Sequence, residues 1–482
     1  MKKMISLFIA LLSFEYNDSI KNSADETPPN ILFILVDDLG KEWVSCYGSD
    51  EISTPHIDRL AKTGTKFTNV YAMPQCTPTR VTFLTGQYPF RHGWVNHWDV
   101  PRWGGGAHFD ETVNPSIGVE MKKAGYKTCI AGKWQIDDFR VEPDALTKNG
   151  FDAFCVWTGY ETGNPPSGNR YRSPYLFTKN GSKTYEEAFG PDLFLNFIQE
   201  FIHTHKEEPM FIYYPMVLTH GPLVNTPIDT ASTREGKHKA MVKYTDLITG
   251  KLMQTLDEAG IRDNTIVIWT TDNGTMPLPA SRNGRMVRGA KGKTSEVGIN
   301  LPFIVSWPSQ VAPNRTSDAL IDFTDLFPTF LDIAGLPHTK EYKRGDQSFR
   351  IDGVSFKDAL VNNRDSQRDW IMGMGGGNNA RLTENGVENQ YLYRDRVLRN
   401  KRFKLYINSK REAVGFYDLK LNPEENINLI DSINSGLRAD NFNKLLEVAM
   451  SFPKVDQDPK YNANPAQEWD VEISAKSESW KL

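Results

Sequence analysis

The sequence has few cysteines, no excess of basic residues and no apolar run long enough to span a membrane as a helix. Four cysteines among 482 residues are too few to define a disulfide framework. The formal net charge of −4 argues against a nucleic-acid-binding protein, because such proteins usually carry a basic excess. With 39% hydrophobic and 24% charged residues, the composition is that of a globular protein, and the length suffices for one large core and a smaller subdomain.

The N-terminal segment has the pattern of a secretory signal peptide. Lys2 and Lys3 precede a short apolar run from Met4 to Phe14, and a polar stretch follows it. A buried N-terminal helix is the alternative, but the stretch after the run is polar and shows no helical pattern. We therefore predict a signal peptide over residues 1–25, with the cut between residues 14 and 28, and no stable membrane association after cleavage.

Apolar, β-branched runs alternate with helical patterns along the first three quarters of the chain. Five runs are predicted to be strands of a largely parallel sheet: Asn30–Val36, Tyr126–Ala131, Met210–Met216, Thr265–Thr270 and Pro302–Trp307. A spacing near 3.6 predicts helices over Ser116–Ala124, Asp192–His205, Lys239–Ala259 and Thr324–Ala334. The alternation predicts an α/β fold with helices flanking a large, mostly parallel central sheet.

The pattern changes after a Gly/Asn-rich linker at residues 375–379. Short strand-like pieces follow at Asp395–Leu398, Phe403–Ile407 and Gly415–Leu419, and a helix is expected over Asp440–Phe452. We predict a catalytic-size domain over residues 26–375 and a small antiparallel α+β subdomain over residues 376–482. The polar, Pro-containing tail after Pro453 is expected to be loosely ordered.

Ionisable residues follow the predicted strands. Asp37 and Asp38 come directly after the first strand, and Lys133, His220 and Asp272 follow three others. Ligands of open α/β sheets bind at the carboxyl ends of the strands, where these five side chains are expected to converge. The sequence therefore predicts an active site at this edge of the sheet.

The segment Cys76–Arg80 reads Cys-Thr-Pro-Thr-Arg, and Leu-Thr-Gly follows at residues 84–86. This pattern resembles the signature of the sulfatase family; a structural Cys before a helix is the alternative. The resemblance implies that a maturation enzyme oxidises Cys76 to formylglycine, an aldehyde whose hydrate carries two hydroxyl groups. One hydroxyl would attack sulfur and the other would then expel sulfate and restore the aldehyde. Arg80 would hydrogen-bond the formylglycine hydroxyl and hold the loop.

Two acidic pairs resemble the metal ligands of this family. Asp37 and Asp38 are similar to the first pair, and Asp272 and Asn273 are similar to the second. Three carboxylates and an amide oxygen form a hard-oxygen set that suits calcium or magnesium and not zinc. The resemblance implies one calcium ion, bound by these four residues and the modified Cys76, that lowers the pKa of the attacking hydroxyl.

Three further residues resemble the catalytic cations of sulfatases. Lys133 lies in a Gly-Lys-Trp element, Lys291 lies in Gly-Ala-Lys-Gly, and His220 lies in Thr-His-Gly-Pro. The two lysines would neutralise the sulfate and the charge that develops in the transition state. His220 would protonate the leaving sugar hydroxyl. The resemblance covers about residues 29 to 430 and implies the fold of the alkaline-phosphatase superfamily.

One position departs from the family pattern. Most relatives have a histidine two positions after the lysine of Gly-Lys-Trp, where this chain has Gln135. Glutamine can hydrogen-bond but cannot accept a proton at neutral pH. Either another group accepts the proton during elimination of sulfate, or the metal-bound carboxylates serve; by sequence proximity the candidates are His92, His97, Asp137 and Asp138.

The insertion at residues 94–110 mixes Trp, Arg, His and Asp with a run of glycines, which suits a pocket for a charged sugar. The predicted substrate-binding residues are Gln135, His97, Trp98, Arg102, Trp103 and His108. The arginine-rich segments Ser281–Arg288 and Arg170–Arg172 can add to this pocket. For any single residue of this set, a solvated loop with packed aromatics is an equal alternative.

These features predict a periplasmic or secreted bacterial sulfatase that acts on a sulfated polysaccharide or oligosaccharide of the ulvan, carrageenan or glycosaminoglycan type. The expected partners are this sulfated carbohydrate and the formylglycine-generating enzyme, and no nucleic acid. A phosphonate or phosphate ester hydrolase of the same superfamily is the first alternative. A catalytically silent glycan-binding protein is the second, which Gln135 makes conceivable.

Overall fold

The computed structural model describes residues 28–95, 108–161, 163–375, 380–383, 386–389 and 391–470. The strands, numbered in chain order, are β1 (Asn30–Val36), β2 (Thr65–Tyr71), β3 (Lys127–Lys133), β4 (Ala153–Trp157), β5 (Tyr175–Thr178), β6 (Gly181–Thr184), β7 (Met210–Pro215), β8 (Thr265–Thr271), β9 (Pro279–Arg282), β10 (Arg285–Arg288), β11 (Asn300–Ser306), β12 (Arg315–Asp322), β13 (Glu341–Arg344), β14 (Gln347–Arg350), β15 (Ile371–Met374), β16 (Ala380–Thr383), β17 (Gly386–Asn389), β18 (Arg396–Arg399), β19 (Phe403–Ile407) and β20 (Ala413–Asp418). The helices are α1 (Pro55–Lys62), α2 (Cys76–Thr85), α3 (Pro89–His92), α4 (Ile117–Lys123), α5 (Ala145–Lys148), α6 (Gly190–His205), α7 (Arg234–Glu258), α8 (Glu296–Ile299), α9 (Leu326–Ile333), α10 (Lys357–Val361) and α11 (Leu437–Ser451).

A ten-stranded sheet forms the centre of the molecule, in the order β12-β2-β11-β8-β1-β7-β3-β4-β5-β6. The five central strands β8, β1, β7, β3 and β4 are parallel to one another. Strand β11 runs antiparallel to both of its neighbours, and β5 and β6 form an antiparallel edge. The predicted large, mostly parallel sheet is therefore confirmed, with antiparallel strands at its flanks.

Helices cover both faces of this sheet because the central strands are apolar on both faces. In β1, Ile31, Phe33 and Leu35 pack with α2, α4 and α9, whereas the alternating residues Leu32, Ile34 and Val36 pack with α1, α6 and α7. All six side chains have no exposed surface. Each such side chain contributes roughly 1.5–3 kcal/mol when it is fully buried, which fixes the register of β1 between its neighbours.

A second, smaller sheet of four antiparallel strands follows, in the order β15-β18-β19-β20. Helix α11 packs on it, with Leu445 and Ala449 buried in a third apolar cluster. The predicted C-terminal antiparallel subdomain is thus present in the fold. Its first strand begins at Ile371, close to the division predicted at residue 375, and that division stays a prediction.

A half-buried glutamate joins the two sheets. Glu296 at the start of α8 accepts a hydrogen bond from the Tyr71 hydroxyl at 2.8 Å. It also lies 3.2 Å from Lys404 Nζ and 3.3 Å from Arg399 Nε, both on the smaller sheet. Burial alone would raise the pKa of Glu296, but Arg399 and Lys404 lower it to about 2. Glu296 is therefore ionised and its charge is compensated within the interface.

The tail after Pro453 lies against the rest of the protein. Asp456 Oδ1 accepts from Arg396 Nη2 at 2.7 Å, and Asn462 Nδ2 donates to Asp110 Oδ2 at 2.7 Å. The expectation of a loosely ordered tail was therefore wrong for this part of the chain, because its polar side chains have partners at Asp110 and on the smaller sheet. Among the described residues, no helix is both long and apolar enough to cross a membrane. The predicted signal peptide and residues 376–379 of the predicted linker lie outside the described residues.

Candidate active site

The carboxyl ends of β1, β3 and β8 bring the predicted acidic and basic residues together. Asp37 and Asp38 follow β1, Lys133 ends β3, and Asp272 follows β8; each is at most 1% exposed. The backbone N–H of Asp272 donates to Val36 O at 3.0 Å, so the two acidic pairs lie side by side. The convergence predicted from the strand ends is therefore found in the structure.

Cys76 reaches this cluster from the first turn of α2. Its Sγ atom and carboxylate oxygens of Asp37 and Asp272 all lie within 4.8 Å of one another. The Thr79 hydroxyl donates to Asp272 O at 2.8 Å and lies 3.1 Å from Met73 O, which ties the start of the helix to the loop after β8. Cys76 is only 3% exposed, so its chemistry takes place in a buried environment.

The end of α2 needs a glycine. Gly86 has a φ of 68°, in the left-handed region, and a Cβ atom there would lie 2.8 Å from Phe327 Cβ. A side chain would therefore be strained and would also clash with α9. The Gly of Leu-Thr-Gly thus lets α2 stop against α9 while its first turn holds Cys76 in the cluster.

Arg80, one helical turn after Cys76, lies beneath the carboxylates. Its Nη2 is 2.7 Å from Asp272 Oδ2 and 3.6 Å from Asp37 Oδ2. Burial alone would lower the pKa of Arg80, but Asp272 and Asp37 raise it above its ordinary value. Arg80 is therefore a permanent positive charge that links the two acidic pairs.

Two lysines complete the ring of positive charge. Lys133 Nζ donates to Asp37 Oδ2 at 2.7 Å, and Lys291 Nζ donates to Asp38 Oδ2 at 2.7 Å. Burial opposes the charge on Lys291, but Asp38 and Cys76 raise its pKa above the ordinary value. The sequence separates these lysines by 158 residues, and the fold aims both at the same aspartate pair.

His220 comes to Asp38 from the segment after β7. Its Nε2 lies 3.7 Å from Asp38 Oδ2, and its Nδ1 lies 2.7 Å from Gly221 O. Burial lowers the pKa of His220 to about 4, although Asp38 acts in the opposite direction. The imidazole is therefore neutral at pH 7 in this state of the site. With the proton on Nδ1 donated to Gly221 O, Nε2 is left as an acceptor that faces the cluster.

The oxygen atoms of the cluster suit a hard cation. Asp37 Oδ1 and Asn273 Oδ1 are buried and have no hydrogen-bond partner in the described part of the chain. Burial and the neighbouring Asp37 carboxylate raise the pKa of Asp272 to about 7, so the carboxylates repel one another. A divalent cation would use both orphaned oxygens and relieve this repulsion, as hard-oxygen sites for calcium do. The residues present therefore fit the metal that the resemblance implies.

Gln135 stands beside Cys76, as its place in the sequence implied. Its Oε1 lies 3.9 Å from Cys76 Sγ, and its backbone has a φ of 63° in the left-handed region. A Cβ atom on Gly159 would lie 3.2 Å from Gln135 Cγ, so the loop after β4 packs directly against this side chain. An amide therefore occupies the place next to the sulfur.

The proposed substitutes for the missing histidine have other partners. His92 Nδ1 accepts from the Trp94 N–H at 3.1 Å, and its Nε2 lies 3.2 Å from the Thr82 hydroxyl. Burial lowers the pKa of His92 to about 3. Asp138 pairs with Arg140, and Asp137 accepts from the Trp134 indole N–H. His97 lies outside the described residues.

Only part of the predicted sugar pocket falls within the described residues. Trp98, Arg102 and Trp103 lie outside them. His108 is 3% exposed, and its contacts are with Glu142 at 3.7 Å and Asn464 at 3.2 Å. The structure thus shows His108 in contact with the tail, and its predicted role in substrate binding stays a prediction.

Sequence reasoning missed an aromatic residue at the mouth of the site. Tyr160 is 47% exposed, and its hydroxyl lies 3.4 Å from Arg170 Nη2. Arg170 Nη1 in turn lies 3.3 Å from His220 Nδ1, and its guanidinium stacks 3.9 Å above the Trp157 ring. The arginine-rich segment was noticed in the sequence, but nothing there indicated that Arg170 would bring Tyr160 to His220.

The mostly parallel sheet, the oxygen-rich cluster at its strand ends and the buried cysteine form the arrangement that the resemblance to ester-hydrolysing sulfatases implies. Residues 29–336 match the family model described as Sulfatase, and residues 291–449 match the one described as N-sulphoglucosamine sulphohydrolase, C-terminal. The chain belongs to the sulfatase family and is a sulfuric ester hydrolase. This assignment favours sulfate-ester hydrolysis over both alternatives considered from the sequence.

Known proteins resemble the chain over most of its length. An N-acetylgalactosamine-6-O-sulfatase of Bacteroides thetaiotaomicron is 30% identical over 385 residues, covering 66% of this chain and 74% of that protein. The human N-acetylgalactosamine-6-sulfatase is 30% identical over 364 residues, covering 70% of this chain and 66% of that protein. The crystal structure of Ps i-CgsB superimposes with a TM-score of 0.72 over 90% of this chain and 95% of that chain. At 23% identity, the last similarity shows a shared fold.

Proposed function

We propose that this sulfatase removes sulfate from a sulfated polysaccharide or oligosaccharide, with a nucleophile made by oxidation of Cys76 and with one bound calcium ion. The observation that supports this best is that Cys76 Sγ lies within 4.8 Å of carboxylate oxygens of Asp37 and Asp272, in a cluster whose aspartates pair with Arg80, Lys133 and Lys291. The names of the two relatives, both sulfatases of N-acetylgalactosamine 6-sulfate, support a sulfated sugar as substrate. Ulvan, carrageenan and glycosaminoglycan remain the substrate types to compare.

The ion would be held by Asp37, Asp38, Asp272 and Asn273 together with the modified Cys76. When bound, calcium supplies positive charge that lowers the pKa of the attacking hydroxyl and withdraws charge from a sulfate oxygen. Arg80 favours the ionised form of Asp272 and Asp37 and holds both in place, because it lies within 3.6 Å of both. A bound divalent cation would complete the ionisation of Asp272, whose pKa is about 7 without it.

Lys133 and Lys291 are proposed to bind the sulfate group. Each ammonium lies 2.7 Å from an aspartate oxygen, so both are already oriented before substrate arrives. Oriented charges in a buried site stabilise a developing negative charge at no cost of reorganisation. Lys133 has no exposed side-chain surface, whereas Lys291 is 21% exposed and lies on the open side of the site.

His220 is proposed to give a proton to the leaving sugar oxygen. Its Nε2 faces the cluster, and its Nδ1 proton is held by Gly221 O. An anionic sulfate ester beside the ring raises the affinity of Nε2 for a proton, since an opposite charge favours the charged form. Arg170 Nη1 lies 3.3 Å from the same Nδ1 atom and limits the space in which the ring can move.

Tyr160 and Arg170 are proposed to contact the sugar. Tyr160 presents an exposed ring next to a guanidinium, which suits stacking on a sugar face and pairing with an acidic substituent. The predicted pocket residues Gln135, His97, Trp98, Arg102, Trp103 and His108 remain part of this proposal. Export to the periplasm or medium, where such polysaccharides are met, and maturation by a formylglycine-generating enzyme complete it.

The test is the chemical state of residue 76. Cys76→Ala is expected to abolish release of free sulfate from sulfated oligosaccharides, and Cys76→Ser is expected to be inactive in a host whose maturing enzyme oxidises only cysteine. Cys46→Ala, at a half-buried thiol outside the cluster, is the matched control and should keep its activity. Mass spectrometry of the Cys76 peptide should show the aldehyde in the active protein. Full activity of Cys76→Ala would refute the mechanism, and faster turnover of an aryl phosphonate than of an aryl sulfate would refute the substrate class.

A further inference from the structure

A second cavity lies outside the cluster around Cys76. It has a volume of about 730 Å³ and is enclosed by the β9–β10 hairpin, the turn after β1, the start of β11 and the smaller sheet. None of the proposed catalytic or metal-binding residues lines it. The charged side chains that line it are Lys41, Glu42, Arg282, Arg285, Arg288, Glu296, Arg399 and Glu424.

Some of these charges are already compensated. Glu296 pairs with Arg399 at 3.3 Å, and Glu424 pairs with Arg285 at 2.7 Å on the rim. Each of these carboxylates therefore compensates the charge of one arginine that lines the cavity. Glu42 is the remaining carboxylate; it is 2% exposed, and burial raises its pKa. It offers little negative charge to the cavity.

Three cations have no such compensation. Lys41 donates to the neutral acceptors Thr68 O at 2.8 Å and Asn300 Oδ1 at 2.5 Å, and Arg282 donates to Tyr47 O at 2.9 Å. Within the described part of the chain, Lys41, Arg282 and Arg288 form no ion pair. Burial, then the nearby Arg282, lowers the pKa of Lys41 well below its usual value, and burial lowers that of Arg282. Arg282 and Arg288 thus leave an excess of positive charge in the cavity, and a bound anion would favour the charged form of Lys41 as well.

The hairpin that carries the arginines is fixed in place. Arg282 pairs with Ser49 in an isolated β-bridge, and the Gly284 N–H donates to Asp50 Oδ2 at 2.8 Å. The Asn283 N–H donates to Gly48 O at 2.9 Å. A guanidinium on such an anchored strand is oriented before a ligand binds, which reduces the entropy lost on binding.

The lining also offers apolar and neutral polar surface. Met286 is 71% exposed, Val287 is half-buried, and Asn283 is exposed at the same mouth. A cavity of this volume is in the range of ligand pockets, and guanidinium forks bind sulfate or carboxylate groups in pairs of hydrogen bonds. A sugar ring that bears a sulfate group has both kinds of complementary surface.

The cavity is connected to the proposed reaction centre by two short segments. Strand β10 ends at Arg288, three positions before Lys291, which pairs with Asp38. Between them the Gly289 N–H donates to Leu278 O at 3.0 Å. On the other side, Lys41 follows Asp38 by three positions. Each of these two segments therefore contributes one residue to the cavity and one to the cluster around Cys76.

We propose that this cavity is a second site for a sulfate group, and that it holds a sulfated residue of the polysaccharide while another residue of the same chain is cleaved at Cys76. The proposal rests on the proposed function, because it assumes a sulfated saccharide as substrate. It makes the enzyme selective for chains over single sugars. The same chemistry would also bind a free sulfate ion, so the experiment separates the two sources.

The experiment compares Arg288→Gln with the wild type on chondroitin 6-sulfate hexasaccharide and on 4-nitrocatechol sulfate. Loss of one charge-assisted contact should raise KM for the hexasaccharide by about tenfold and leave kcat/KM for the aryl sulfate unchanged. Arg288→Lys should recover part of the affinity, since it keeps the charge. Arg234→Gln, at an exposed arginine that starts α7 outside the cavity, is the control.

Binding to the Cys76→Ser protein gives a readout without turnover. Loss of hexasaccharide affinity on adding Arg288→Gln assigns the site to the polysaccharide. If adding Arg288→Gln leaves hexasaccharide affinity unchanged and removes only the thermal stabilisation by sodium sulfate, the cavity is a site for free sulfate. The same KM and the same binding in wild type and Arg288→Gln would overturn the second site. Absence of sulfate release from every saccharide by the wild type would instead contradict the proposed function.

Discussion

Lys133 Nζ lies 2.7 Å from Asp37 Oδ2, and neither side chain has any surface exposed to solvent. The other carboxylate oxygen of Asp37 is buried and has no hydrogen-bond partner among the residues that the structure describes. Asp37 thus has one oxygen in an ion pair and one oxygen available to a ligand. Removing either partner of such a pair leaves a buried charge without compensation, which typically costs about 3–5 kcal/mol.

Lys133→Met is expected to lower the rate of sulfate release by about 100- to 1,000-fold, because an oriented positive charge is lost from the place where negative charge develops. Calcium content should fall little, since the lysine is not a proposed ligand. Free sulfate and bound calcium are measured on the same samples. Thermal unfolding is recorded to show that the variant is folded. A folded Lys133→Met protein with the wild-type rate would contradict the role of this lysine.

Asp38→Asn and Asp272→Asn are each expected to lower bound calcium and the rate of sulfate release together. The reason is the loss of a charged oxygen from a set in which carboxylates supply most of the affinity. Calcium is measured by elemental analysis and by calorimetric titration of chelator-treated protein. Asp440→Asn, at an exposed carboxylate on α11, is the control. Undiminished activity of fully metal-stripped wild-type protein would rule the ion out.

Gln135→Ala is expected to slow turnover by about tenfold or less, the value of one lost hydrogen bond, because a neutral amide does not act as a base. Elimination of sulfate is then carried by another group. Rapid quenching followed by mass spectrometry of the Cys76 peptide shows whether sulfate stays attached. Accumulation of a sulfated Cys76 peptide in Gln135→Ala would make residue 135 essential to elimination and would sink this prediction.

Gln135→His tests whether another group has taken over the proton transfer that the missing histidine would perform. If another group has taken over the proton transfer, this change is expected to be neutral or mildly harmful, because the loop at Gly159 packs against the amide. If no group has done so, the rate should rise and should acquire a pH dependence near the ordinary histidine pKa of about 6.5. The measurement is the pH profile of kcat in both proteins.

Glu296→Gln is expected to destabilise the protein at neutral pH but not in acid. The folded-state pKa of about 2 lies below the ordinary value of 4.5, so ionised Glu296 contributes stability above pH 4.5 that is lost as the pH falls toward 2. At pH 6 the free energy of unfolding should drop by about 3 kcal/mol, and the difference should vanish near pH 2. Urea unfolding at a series of pH values measures this.

The control for this prediction is Glu424→Gln. Glu424 and Arg285 form a pair in which both side chains are at least half exposed, so its loss should change the free energy of unfolding by less than about 1 kcal/mol at any pH. A difference between wild type and Glu296→Gln that stays constant from pH 6 to pH 2 would show that the ionised pair is not the source of the stability.

Much of the central sheet was predictable because its strands are buried on both faces. The predicted bounds of β1 are those of the structure, and β8 differs from its prediction by one residue. Such runs leave little freedom in where a strand begins and ends. The direction of β11 was not predictable, because an apolar run indicates burial and gives no direction. Its antiparallel course depends on pairing with both β8 and β2.

The cluster was predictable where motifs follow strands, as with Asp37 and Lys133. The contact of Arg170 with His220 was not, because it joins two loops whose paths depend on the packed structure around them. The prediction of a loosely ordered tail failed for a related reason. Polar residues without a pattern usually face solvent, but Asn462 uses its side-chain amide to bind Asp110. Composition alone does not distinguish a solvated polar segment from one that binds the folded protein.

The contact between Asn462 and Asp110 has a consequence for synthesis of the protein. The two residues are 352 positions apart, so Asp110 leaves the ribosome long before its partner is made. Asp110 also accepts hydrogen bonds from Thr112 N and the Thr112 hydroxyl, so this segment can form a local turn before Asn462 has been synthesised. At typical rates of about 5–20 residues per second, the delay is roughly 20–70 seconds. The contact of Asp110 with the tail therefore forms only after the smaller sheet and the tail have been synthesised.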